Sequence, residues 1–190
     1  MGIMKAIANL LFEARLLKEI PRSGFQFLGS GSESVADHSF IATFIGYVFS
    51  QITPEADAQK LLQMCLLHDL TEARTGDLNY VQKKYLSVDE SRAIEDLTEG
   101  LPFGNVLAEI IEEFNAAETL EAQLAHDADQ LALVLELKAL HDAGNNGPKA
   151  WLPHVCGRLR TSVGQSLAKQ IINTASDEWW FEGKGNCDEV

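Results

Sequence analysis

Basic residues, cysteines and long apolar runs are all scarce in this sequence, and each scarcity excludes something. The 190 residues include 15 Lys and Arg against 28 Asp and Glu, a formal net charge of −13. A chain this acidic is poorly suited to track a phosphate backbone, which sets nucleic acid aside as a partner, and an anionic membrane surface repels it. The carboxylates are spread along the chain, so they read as a solvated surface and not as an acidic tail. A phosphorylated small molecule would therefore need a local cation to bind. The three cysteines, Cys65, Cys156 and Cys187, show no CxxC spacing, and an odd number cannot pair fully within one chain. A reducing, cytoplasmic setting is expected. The start, Met1-Gly2-Ile3-Met4-Lys5-Ala6, lacks the basic region and long apolar core of a secretory signal, and Ala6 breaks the myristoylation pattern. No apolar run approaches the roughly 18 residues that span a bilayer.

Strand-like alternation and internal repeats are also missing, whereas helical periodicity runs through most of the chain. Ile7, Leu10, Leu11, Ala14 and Leu17 form a first stripe, ended by Pro21 and Gly24, and a loop passes through Gly29-Ser30-Gly31-Ser32. Either Ser34 with Asp37 or Ser30 with Glu33 can form a capping box for the next helix, which continues through Phe40, Phe44, Ile45 and Val48. Pro54 opens a helix faced by Leu61, Leu62, Cys65, Leu66 and Leu70 and broken at Gly76. A polar stretch, 79–87, precedes helices over about 88–99, 103–114 and 118–141. A turn cluster at 142–148 leads to C-terminal helices within about 148–181. This pattern predicts one all-α domain over 1–182, with a core at about 20–141 and a loose tail at 183–190. Trp151, Trp179, Trp180 and Phe181 are expected to pack a closing helix onto the core or onto a dimer partner.

The chemistry gathers at Leu67-His68-Asp69-Leu70-Thr71-Glu72. An imidazole nitrogen beside a carboxylate oxygen suits a divalent first-row metal, and Glu72, four residues after His68, projects from the same helix face. A lone His-Asp pair is more often a helix end with satisfied hydrogen bonds, and His126-Asp127 is a second copy. A set is more informative than a pair. His38, His68, Asp69 and Asp129 would supply two imidazoles and two carboxylates from three helices.

The order H…HD…D resembles the HD-domain metal-dependent phosphohydrolases. The likeness extends through Ile20-Pro21-Arg22-Ser23-Gly24-Phe25, Glu33-Ser34-Val35-Ala36-Asp37-His38-Ser39 and 67–78, and continues at Glu112-Glu113-Phe114, Glu118 and Asp127-Ala128-Asp129-Gln130-Leu131. Over roughly 7–141 the chain looks like the 5′-deoxynucleotidase branch of that family. The resemblance implies a single HD-domain helical bundle that acts as a homodimer on deoxynucleoside 5′-monophosphates. It also implies one divalent transition metal ion (Co, Mn, Fe, Ni or Zn) on His38, His68, Asp69 and Asp129. Asp129 is chosen over Asp127 because Asp129-Gln130-Leu131 matches the family pattern; periodicity alone does not separate the two.

Beside that implication, the residues suggest roles. Glu72 is placed to orient or deprotonate water, or to protonate the leaving oxygen. Arg22 suits a bidentate phosphate clamp. By resemblance, Asp77 faces the sugar or helps hold the site. Some family members place a Trp after the Arg; here Ser23-Gly24-Phe25 follows, so Phe25 supplies the aromatic wall or the wall is absent. Two further readings remain: hydrolysis of another phosphorylated nucleotide (cyclic dinucleotide, triphosphate or alarmone), and a regulatory module that binds metal or nucleotide without turnover.

Overall fold

Capping chemistry decides where the central helices begin. In the computed structural model, which describes residues 2–181, the Ser34 hydroxyl accepts from the Asp37 N–H at 3.1 Å and the Asp37 carboxylate accepts from the Ser34 N–H at 3.1 Å. This reciprocal box, of the two the sequence allowed, starts α3 (Val35–Ile52). The Asp57 side chain caps α4 (Ala58–Leu67), so that helix begins four residues after Pro54. Thr119 caps α8 (Leu120–Asp142), which lies close to its expected range.

The remaining elements are α1 (Ile3–Leu16), α2 (Phe25–Leu28), α5 (Glu72–Thr75), α6 (Glu90–Thr98), α7 (Gly104–Ala116), α9 (Gly147–Cys156), α10 (Ser162–Asn173) and α11 (Glu178–Phe181). A short 3₁₀ turn covers Gln82–Lys84. The fold is all-α: the described residues contain no strand, only an isolated bridge between Pro21 and Ser34. The residues expected as a loose tail, 183–190, lie outside the described residues.

Three buried clusters hold the helices together. The largest joins α3, α4, α7, α8 and α10 through Phe49, Leu61, Met64, Phe114, Leu124 and Leu131. α3 packs on both α4 and α8. Gly46 makes the α3–α4 approach possible, because a Cβ there would meet Cys65 Sγ at 2.7 Å. A second cluster seats α1, α6 and α7 around Leu17, Val35, Leu97 and Ile111. The third joins α2, α8 and α9 around Leu28, Val134, Leu137 and Leu152.

Three expectations need correction. The α1 stripe is narrower than its apolar spacing suggested: Ala6 and Leu17 are buried, whereas Leu11 and Ala14 are exposed. The helix carrying His68 stops at Leu67 and does not run on to Gly76. Bonds of the i→i+3 type (Leu70 N–H to Leu67 O, Glu72 N–H to Asp69 O) tighten residues 68–71 into turns before α5. Phe25, expected either to supply an aromatic wall or to leave it absent, packs at the edge of the third cluster and is partly exposed. Finally, Trp151 packs with that cluster, while Trp179, Trp180 and Phe181 are 69%, 56% and 59% exposed, so they do not take the expected seat on the core, and the alternative seat on a dimer partner stays an expectation. Consecutive residues of a helix point about 100° apart, so the three adjacent aromatics of α11 do not share one face.

Candidate metal centre

His38 lies in the first turn of α3, just inside the capping box, and is fully buried. Its Nε2 stands 2.9 Å from Asp129 Oδ1 and 3.8 Å from Asp69 Oδ2. His68 is the residue at which α4 ends. Its Nδ1 pairs with the Cys65 carbonyl oxygen at 2.9 Å, which requires Nδ1 to donate and leaves Nε2 to face the centre. His68 Nε2 is 3.3 Å from Asp69 Oδ2 and 4.0 Å from Asp129 Oδ1. The turn after α4 brings Asp69 to the same point as its neighbour. Donor atoms of His38, His68 and Asp69 all lie within 4.8 Å of one another. Asp129 enters from the middle of α8, with its other oxygen accepting from Gln130 Nε2 at 2.7 Å.

The second His-Asp pair has a different environment. His126 stacks on Phe114 with ring centroids 4.0 Å apart, and its Nε2 donates to the Phe114 carbonyl oxygen. The Asp127 carboxylate accepts from the Arg160 and Thr161 backbone N–H groups and from the Thr161 hydroxyl. It thereby pins the start of α10, and Gly164 leaves room for it: a Cβ there would overlap the carboxylate.

Arg22 comes from the loop between α1 and α2. Its Nη1 lies 3.1 Å from Asp69 Oδ2 and 3.9 Å from Asp77 Oδ1. The Arg22 N–H donates to the Glu33 carbonyl oxygen and the Val35 N–H to that of Ile20, which clamps this loop to the start of α3. Asp77 follows Gly76, whose φ of +73° supplies the left-handed turn. Its Oδ2 accepts from both the Ser23 N–H at 2.6 Å and the Ser23 hydroxyl at 3.2 Å. Asp77 therefore holds the Arg22 loop in place. Arg74 lies apart from the centre, bonded through Nε and Nη2 to Glu13 at 2.7 and 2.8 Å.

Proximity and burial leave their mark on the ionisable groups. Burial works against the charged His68 ring, but Asp69 beside it, together with Asp129, raises it to about 9. Against the same burial, His68 and Arg22 hold Asp69 down to about 2, and His38 and His68 hold Asp129 well below the carboxylate range. Burial, with Asp69 and Asp77 adding their charge, pushes Glu72 up to about 8, and its buried Oε2 has no hydrogen-bond partner among the described residues. Burial of Arg22 is outweighed by Asp69, Asp129, Asp77 and Glu72, which raise its pKa.

This donor set can hold a metal. Two imidazole nitrogens and two carboxylate oxygens suit a divalent first-row cation. His68 Nε2 is a buried polar atom without a hydrogen bond among the described residues, oriented through Nδ1 in the manner of a metal-ligating histidine. Two further residues at the site were not assigned a role from sequence. Ser23 secures Asp77, and Glu33 is buried behind His38, its Oε2 lying 3.8 Å from His38 Nδ1. Both lie in loops, where helical periodicity carries no signal.

A family model described as an HD domain matches residues 14–171. The human protein named 5′-deoxynucleotidase HDDC2 is 26% identical over 171 residues, covering 85% of this chain and 78% of that protein. The Dictyostelium discoideum protein of the same name is 28% identical over 172 residues, covering 82% and 90%. Among solved structures, a conserved hypothetical protein from Pyrococcus furiosus matches with a TM-score of 0.74 and 29% identity, over 88% of this chain and 99% of that one. A predicted metal-dependent phosphohydrolase from Magnetospirillum magnetotacticum shares the fold at a TM-score of 0.68 and 20% identity, over 95% and 98%.

Proposed function

Because this chain belongs to the HD-domain family, we propose that it is a metal-dependent phosphohydrolase that removes the 5′-phosphate from deoxynucleoside and nucleoside monophosphates. The observation that carries this reading is the convergence of His38, His68 and Asp69 in one centre, with Asp129 Oδ1 2.9 Å from His38 Nε2 and an arginine at its edge. The deoxynucleotidase names of the human and Dictyostelium relatives support the monophosphate substrate.

In this reading His38, His68, Asp69 and Asp129 hold one divalent ion. When bound, the ion would neutralise charge on the phosphoryl group and acidify water at the site. Arg22 is the only guanidinium bonded to these carboxylates among the described residues. Its planar donors fit two phosphate oxygens, so binding substrate would exchange the Asp69 contact for a phosphate contact. Glu72 retains a proton more readily than an ordinary carboxyl. That suits it to deprotonate attacking water at one oxygen and to return a proton to the departing 5′-oxygen. Asp77, held by Ser23, is a positioning residue for the Arg22 loop.

The local cation is what an acidic chain needs to accept a phosphate. The reading also includes a homodimer, and an exposed apolar stripe on α3 (Phe40, Phe44, Tyr47) offers a face for a second copy. The decisive experiment is a substrate panel with the Co²⁺- or Mn²⁺-loaded protein. Phosphate release from deoxynucleoside monophosphates should exceed turnover of cyclic dinucleotides, triphosphates and alarmones. Faster cleavage of a diester or triphosphate would overturn the monophosphate assignment. A dead panel with tight nucleotide binding would favour a regulatory module.

A further inference from the structure

Two buried polar atoms face each other behind His38, and neither has a hydrogen-bond partner among the described residues. One is His38 Nδ1 and the other is Glu33 Oε2, 3.8 Å apart. The His38 side chain is 0% exposed and that of Glu33 is 4% exposed. We propose that Glu33 is a positioning residue for the metal centre, accepting the Nδ1 proton of His38 and so presenting Nε2 to the cation. This inference rests on the reading of His38 as a metal ligand.

An imidazole that lends its Nε2 lone pair to a cation carries its proton on Nδ1, and a buried N–H needs an acceptor. His68 meets that need with a backbone carbonyl, from Cys65. No backbone oxygen among the described residues accepts a hydrogen bond from His38 Nδ1, and Glu33 is the carboxylate that faces it. A closure of about 1 Å brings the pair into hydrogen-bonding range. Glu33 is well anchored for this. Its carbonyl oxygen accepts from the Arg22 N–H at 2.9 Å, and the next residue, Ser34, is locked into the capping box. One loop residue thus ties the phosphate-binding candidate Arg22 to the ligand His38. A carboxylate behind a ligating histidine also raises the basicity of the ring, and losing such a partner typically costs about 10–100-fold in metal affinity.

Two variants and one control separate the possibilities. Glu33→Met keeps the volume and removes the acceptor; Glu33→Gln keeps an acceptor oxygen without the charge. Co²⁺ affinity is measured by calorimetric titration of the chelated protein, and circular dichroism checks the fold. The expected result is a loss of about 10–100-fold in Glu33→Met and a markedly smaller loss in Glu33→Gln. In the Zn²⁺-loaded protein, the His38 Nδ1–H resonance should move upfield in Glu33→Met and stay near its wild-type position in Glu33→Gln. Wild-type affinity and an unmoved resonance in Glu33→Met would overturn the proposal, leaving the metal reading intact if His38→Ala abolishes binding. If His38→Ala binds Co²⁺ like wild type, the metal reading falls and the proposal falls with it. Should Glu33→Met not fold, an unshifted resonance with wild-type affinity in Glu33→Ala overturns the proposal.

Discussion

Asp127 and Asp129 stand two residues apart on α8 and serve opposite sides of it. Asp129 Oδ1 meets His38 Nε2 at 2.9 Å, whereas Asp127 accepts the Arg160 N–H at 2.7 Å and the Thr161 N–H at 2.9 Å. Two steps of about 100° turn the side chains roughly 200° apart. One carboxylate therefore reaches His38 in the candidate metal centre while the other fixes the entry to α10.

The two carboxylates should separate in mutagenesis. Asp127→Ala removes the fully buried acceptor of the Arg160 and Thr161 N–H groups and is expected to cost about 1–3 kcal/mol of stability. The folded protein should still bind one equivalent of Co²⁺. Asp129→Ala should lower Co²⁺ affinity by at least about tenfold. Calorimetric melting and metal titration on both variants check this, and the reverse pattern would assign Asp127 to the centre.

Glu72→Gln keeps the shape of the side chain and removes its capacity to exchange a proton. Turnover of deoxynucleoside monophosphates is expected to fall by about 10²–10⁴-fold, with Co²⁺ affinity within a few-fold of wild type. Rate constants and metal titrations on the same preparation test it. Unchanged turnover would remove Glu72 from the chemistry.

Arg22→Lys preserves the charge and loses the planar fork. We expect a rise of about 10-fold or more in KM for monophosphates, with kcat/KM recovered poorly by lysine. Inorganic phosphate should weaken as an inhibitor by a similar factor. Equal KM values for wild type and variant would place the phosphate elsewhere.

The metal-free protein should lose stability as pH rises from about 5 to 9. His68 is raised from its ordinary 6.5 to about 9 when folded. Its contribution is fully present below 6.5 and disappears as pH passes through 9. It is worth on the order of 3 kcal/mol at most. Burial-raised Glu33, at about 7, and Glu72, at about 8, act in the same direction, because the folded state binds their protons more tightly than the unfolded chain does. Asp69, held near 2, stays ionised across this window and adds no slope. Thermal melts of chelated protein at pH 5.5, 7 and 9 should show a falling Tm. A Tm that rises across this range would contradict these proton affinities.

Metal binding should raise the Tm and restore activity to chelated protein. At a free Co²⁺ concentration of 100 Kd the stabilisation is about 2.7 kcal/mol. Nucleotide affinity should fall when the metal is removed, since Arg22 alone must then offset Asp69, Asp77 and Asp129. A chelated sample that binds nucleotide as tightly as the loaded one would sink this account.

The legible parts of the fold were those written in local chemistry. α8 is long, periodic and capped by Thr119, so its range was read closely. The Ser34 box was one of two candidates. The break at 68–71 was hidden because Leu66, Leu67 and Leu70 continue an apolar pattern across it. The exposure of Trp179 and Trp180 was also hidden, because large apolar side chains look alike whether or not a partner element covers them. At the site, His38, His68 and Asp69 stood out by residue type and order. Glu33 and Ser23 did not, because a side chain that acts through a neighbour has no characteristic spacing.

By itself the sequence determined the helical class, the acidic surface and the short roster of groups able to bind a metal or a phosphate. These follow from composition, periodicity and residue chemistry, which need no knowledge of neighbours. Only the tertiary structure decided which groups meet. It turned Asp129 inward and Asp127 toward α10, placed Asp69 beside His68 by tightening the turn after α4, and buried Glu33 behind His38. The physical reason is that helical periodicity names a face, while packing against other helices decides what that face touches.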